Sequence, residues 1–141
     1  SRSYPMKWEN FSHDADVGIR GFGKTMEEAF AMAVLALTAV VTNPDIVSPK
    51  IKVLIECEEE DRELLFFDWI NAVIYEMEMK KMLFAEAKVT IESFQLKGQL
   101  WGEIISQEKH TPATDIKGAT MTELKVMKSG NQWVAQCIVD V

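Results

Sequence analysis

Cysteine and basic charge are both scarce in this chain, and each shortage removes a class of protein. Only two cysteines, Cys57 and Cys137, occur in 141 residues. They lie far apart without CxxC or Cys/His spacing, so neither a zinc site nor a disulfide framework is expected. Both are expected to be buried thiols in a reducing compartment. Lys and Arg number 15 against 22 Asp and Glu, a formal charge of -7. That balance argues against direct grip on a phosphate backbone, because such affinity comes from cations displacing counterions. A basic protein partner or bound cations suit it better. The longest apolar run, Ala29 to Val41, is too short to cross a bilayer and reads as a core helix. No basic stretch with an apolar core and cleavage site opens the chain, which sets the expectation of a cytoplasmic protein without membrane contact.

The common catalytic signatures are missing as well. There is no GxxxxGK(S/T), no GxGxxG at a strand-to-helix turn, no HExxH and no GxSxG. The series Gly18-Ile19-Arg20-Gly21-Phe22-Gly23 lacks the spacing of a nucleotide fingerprint. What is present is ordinary globular material, 48% hydrophobic and 26% charged, expected to form one domain over residues 1–141. A chain of this size buries roughly two thirds of its unfolded surface and needs no staples.

Periodicity divides the chain. Residues 7–23 read as one or two strands, with the glycines suggesting bends or bulges. Thr25 is placed to cap a helix whose first turn holds Glu27 and Glu28. Met26, Ala29, Phe30, Ala33, Val34, Leu37, Val40 and Val41 mark its buried face, and Asn43-Pro44-Asp45 ends it. Ile51, Val53, Ile55 and Cys57 alternate as a strand. A second helix follows the acidic run Glu58 to Asp61, with a stripe of Phe66, Phe67, Ile70, Val73, Ile74 and Met77 and an outer Glu76/Lys80 pair. After Met82 the period falls to two through Ala85, Ala87, Val89 and Ile91. A strand from Leu96 to Ile105 and a hairpin about Ser129-Gly130-Asn131 complete the pattern. The expected class is α+β, two-layer, a mainly antiparallel sheet with two helices on one face.

The residues able to carry chemistry gather at the chain's ends. His13-Asp14-Ala15-Asp16 lies near the start and Val139-Asp140-Val141 closes the sequence. If the fold joins these stretches, Asp16, Asp140 and the terminal carboxylate of Val141 supply only hard oxygen donors. Such donors suit calcium, magnesium or manganese rather than zinc. Asp14 and Asp16 are two apart, so in extended chain they point the same way; the alternative is that one of them serves a turn. His13 beside two carboxylates is a candidate proton carrier or a structural hydrogen-bonding group. Lys117, among small and apolar neighbours, either meets an anion or an aspartate or simply faces solvent.

These stretches, with Trp8-Glu9, Thr25 to Thr38, Asp68-Trp69-Ile70-Asn71, Trp101-Gly102-Glu103, His110-Thr111-Pro112, Ile116 to Thr120 and Trp133 to Val141, resemble the archease family over essentially the whole chain. The resemblance implies an accessory protein for the RtcB-type RNA ligase of tRNA splicing and RNA repair. That protein promotes guanylylation of the ligase and its repeated turnover, so no catalytic residue is expected here, and tRNA or other RNA is met only through the ligase. The family's metal-binding positions fall on Asp16, Asp140 and Val141, with calcium, magnesium or manganese as the implied cation. Its functional lysine falls on Lys117. Many members carry threonine where this chain has Asp14, which makes Asp14 a weaker candidate, and His13 and His110 match positions without an assigned role. The competing readings are a small metal-dependent phosphoesterase using Asp16, Asp140 and His13, and a general chaperone-like binding module.

Overall fold

In a computed structural model, residues 7–141 are described; Ser1-Arg2-Ser3 lies outside them. Strands β1 (Trp8–His13) and β2 (Asp16–Gly23) lead into helix α1 (Met26–Val41). A short 3-10 turn, Pro44–Ile46, precedes β3 (Ile51–Glu58) and helix α2 (Arg62–Lys80). Then come β4 (Met82–Glu92), β5 (Gln95–Ile104), the short helix α3 (Gln107–His110), β6 (Gly118–Ala119), β7 (Lys125–Ser129) and β8 (Gln132–Asp140). All paired strands run antiparallel. The class is α+β.

The strands divide between two sheets. One has the order β1-β2-β8-β6, with β7 also on β8; the other has the order β3-β5-β4. Helix α1 touches both sheets, packing on β2 and on β4. This explains why more than a single stripe of it is buried. Ala31, Ala36 and Thr38 are covered in addition to the expected Ala29, Phe30, Ala33, Val34, Leu37 and Val41, whereas Met26 and Val40 are only half-buried. Each large apolar side chain removed from water here contributes about 1.5–3 kcal/mol. The one polar side chain buried along this helix, Thr38, donates its hydroxyl to the Phe84 carbonyl at 2.6 Å. Thr25 caps α1 by accepting the Glu28 N–H, as the sequence predicts.

On α2 the buried set is Leu65, Phe66, Trp69, Ile70, Val73 and Ile74, so Phe67 and Met77 give way to Leu65 and Trp69 at the centre. Trp69 is wholly enclosed because Gly98 of β5 leaves room for its ring; a Cβ there would lie 2.2 Å from the indole. Its Nε1–H donates to the Phe30 carbonyl at 3.0 Å, tying α2 to α1.

The glycines of β2 are not bends. The strand runs unbroken, and a Cβ at Gly21 would meet the α1 backbone at Ala29 and Ala33, while one at Gly18 would strike the Phe11 ring. Close approach, rather than a bulge, requires them. Among the described residues the one register shift in a ladder falls in β4, between Phe84 and Glu86. Cys137 is buried and Cys57 half-buried, both as free thiols. Burial pushes Cys137 up to about 12 and, helped by the Asp68 charge, Cys57 up to about 11, so both stay protonated at neutral pH. Among the described residues no helix is long and apolar enough to cross a membrane.

Candidate functional site

Three strand pairings bring the ends of the sequence together. In the β1–β2 hairpin His13 stands opposite Asp16. In the β2–β8 ladder Val17 stands opposite Val139, which carries Asp16 alongside Asp140. In the β8–β6 pair Gly118 stands opposite Asp140. Residues directly opposite one another share a face of the sheet, so His13, Asp16, Asp140 and Gly118 form one row across four strands. Val141 follows at once, its N–H directed to Asp16 Oδ1 at 3.4 Å.

Asp14 does not share the strand geometry that its spacing from Asp16 suggests. It sits in the two-residue turn between β1 and β2 with φ 52°, a left-handed conformation that aspartate tolerates, and its side chain is 94% exposed. It therefore lies outside the extended chain that would align it with Asp16. His13 Nδ1 lies 3.8 Å from Asp14 Oδ2, a loose surface approach.

Lys117 joins the row through its backbone. Its N–H donates to the Asp140 carbonyl at 2.8 Å, and its side chain is exposed. Thr120 grips β8 twice, its N–H and its hydroxyl both donating to the Ile138 carbonyl at 2.9 Å. On the other side the Ala119 N–H donates to Asn71 Oδ1 of α2, also at 2.9 Å. No local pattern in the sequence points to Asn71, because only the tertiary fold puts it against β6.

His110 is placed elsewhere. It ends a short helix, α3, closed by Thr111 with φ 44°. The His110 ring is buried; its Nδ1 accepts the Ser106 N–H at 2.8 Å, which leaves the proton on Nε2 to be donated to Glu103 Oε2 at 2.9 Å. The same oxygen takes the Lys109 ammonium at 2.7 Å and the Ser48 N–H at 3.0 Å. The Lys109 hydrogen bond first, then those of Ser48 and His110, outweigh desolvation and hold the Glu103 carboxyl down at about 2. With both ring nitrogens committed, His110 is a structural bridge and not part of the aspartate row. A cluster of this kind could have been suspected only by pairing Glu103 with His110, which no local period does.

The donor set of the row is one that a divalent cation can use. Asp16 and Asp140 offer two carboxylates from neighbouring strands, and all their donors are oxygen, as hard cations require. Among the described residues no group of three or more His, Cys, Asp and Glu side chains is set to hold a metal, so a third oxygen would have to come from Val141. A shallow groove of about 390 Å³ opens on the other sheet, bordered by Leu54, Glu56, Lys88, Thr90, Lys97 and Gln99, and contains none of these residues.

The model of the archease protein family matches residues 8–141. The chain belongs to the archease family. Archease of Thermococcus kodakarensis is 36% identical over 140 residues, covering 96% of this chain and 99% of that one. Archease of Pyrococcus furiosus is 35% identical with the same coverage. The solution structure of Methanobacterium thermoautotrophicum protein 1598 superposes with a TM-score of 0.79 at 25% identity, over 96% of this chain and 99% of that one. A crystal structure from Thermotoga maritima, described as an archease and possible chaperone, gives a TM-score of 0.58 at 19% identity over 100% and 98% of the two chains, a likeness of fold.

Proposed function

We propose that this archease is a non-catalytic activator of an RtcB-type RNA ligase, promoting ligase guanylylation and multiple turnover through an acidic, cation-binding site. Family membership supports the reading. The observation that carries it is the meeting of Asp16, Asp140, Val141 and Lys117 at the ends of adjacent strands, from stretches more than a hundred positions apart in sequence. Asp16 and Asp140 would hold calcium, magnesium or manganese with an oxygen of Val141. Such a cation supplies hard positive charge beside nucleotide phosphates. Asp16 and Asp140 set the negative field of the surface offered to the ligase, and exposed Lys117 adds one positive group that can meet phosphate or a partner carboxylate. Contact with tRNA or other RNA is through the ligase, in keeping with a charge of -7.

Guanylylation and RNA joining by a limiting amount of purified RtcB-type ligase test this, with wild-type protein and with Asp16→Ala. Stimulation by wild type and not by the variant is expected. Absence of stimulation by wild type removes the reading. Release of phosphate from an ester with no ligase present would favour the phosphoesterase, and protection of unrelated unfolding proteins would favour a chaperone-like module.

A further inference from the structure

Strand β6 is only two residues long and lies at an edge of its sheet, yet it carries the backbone next to Lys117. In an antiparallel pair, alternate residues direct their N–H groups toward and away from the neighbour. Thr120 donates to β8 at the Ile138 carbonyl, while Lys117, which precedes the strand, donates to the Asp140 carbonyl. The Ala119 N–H turns outward, where a further strand would stand, and meets Asn71 Oδ1 at 2.9 Å in a half-buried setting. A side chain of α2 thus takes the place of a strand. The helix that holds it is itself fixed, since Trp69, two positions earlier, is wholly buried and donates to the Phe30 carbonyl, and the adjacent Ile70 is wholly buried too.

We infer that Asn71 is a positioning residue: it anchors β6 to α2 and so holds Lys117 and Gly118 against Asp140. This rests on the function proposed above for what the positioning serves, while the positioning itself is a property of the isolated protein. Two residues of ladder are too few to hold an edge strand against fraying, and amides of such strands open locally at small free-energy cost. One further hydrogen bond from a rigid helix raises that cost. Asn71 needs no contact with ligase, cation or RNA to do so.

Amide hydrogen exchange of the intact protein, compared for wild type, Asn71→Leu and Asn71→Asp, tests the inference. Asn71→Leu keeps the volume and removes the acceptor; Asn71→Asp keeps an oxygen at the same place. In Asn71→Leu the amides of Lys117, Ala119 and Thr120 should exchange about tenfold faster, with those of Phe66 to Val73 unchanged. Asn71→Asp should restore protection. Unchanged exchange at Lys117 in Asn71→Leu would overturn the inference, as would equal acceleration throughout α2, which is general destabilisation. With ligase added, Asn71→Leu should require several-fold more protein for half-maximal stimulation, reversed in Asn71→Asp. A wild-type protein that does not stimulate at all would defeat the proposed function, while the exchange pattern would still decide the anchor.

Discussion

Asp16 Oδ1 stands 3.4 Å from the backbone nitrogen of Val141, across 125 positions of chain. The contact exists because β2 and β8 pair in antiparallel register from Val17↔Val139 to Gly23↔Trp133. A slip of one residue would turn Asp16 and Asp140 to opposite faces and dissolve the row.

Replacing Asp16 or Asp140 by asparagine should therefore abolish ligase stimulation with little loss of fold. Asp140 is exposed and Asp16 half-buried, so each change should cost less than about 1 kcal/mol. Calorimetric titration with calcium, magnesium or manganese should show weaker binding in both variants. Full stimulation and unaltered cation binding by both would refute the site.

Lys117→Ala should leave thermal stability within about 0.5 kcal/mol of wild type, because only an exposed side chain is removed and the backbone bond to Asp140 remains. Stimulation should fall about tenfold or more if the ammonium meets an oppositely charged group in the complex. Lys117→Arg should recover part of it. Equal activity of the alanine variant would take Lys117 out of the site.

Glu103 gives a pH signature. Its folded-state value of about 2 lies below the ordinary 4.5, so its stabilising effect is complete above 4.5 and is lost as pH falls through about 2. Glu103→Gln should lose about 1–3 kcal/mol at neutral pH. Urea unfolding of both proteins should show a gap that is constant above 4.5 and closes toward about 2. A gap independent of pH would contradict the ionised cluster with Lys109, Ser48 and His110.

Gly98→Ala should destabilise by about 1–3 kcal/mol, since the new methyl meets the Trp69 ring in a filled core. Trp69→Phe makes space at that point, so the double variant should be more stable than the sum of the single effects, by about 0.5 kcal/mol or more. Strict additivity in chemical denaturation would show that the two residues do not press on each other.

Local chemistry was legible wherever a period or a cap carried it. The cap at Thr25, the bounds of α1 and α2, and the β7–β8 hairpin about Gly130, which adopts φ 64°, follow from nearest-neighbour rules. The β2 glycines were misread because a sequence shows that a side chain is missing without showing what lies against it. Here it is the Phe11 ring and the backbone of α1. Likewise the burial of Ala31, Ala36 and Thr38 follows from a second sheet touching α1, which no single amphipathic stripe announces.

By itself the sequence determined the α+β class, the places of α1 and α2 among the strands, the acidic character of the molecule and the candidates Asp16, Asp140, Val141 and Lys117, because these depend on composition, period and motif. Only the tertiary structure decided that the antiparallel strands form two sheets, that Asp14 belongs to a turn, that His110 is bound into the Glu103 cluster, and that Asn71 closes the edge of β6. Those outcomes depend on which distant backbone groups find each other. Strand pairing and hydrogen bonding between remote segments are settled by the packing of the whole core, not by neighbours along the chain.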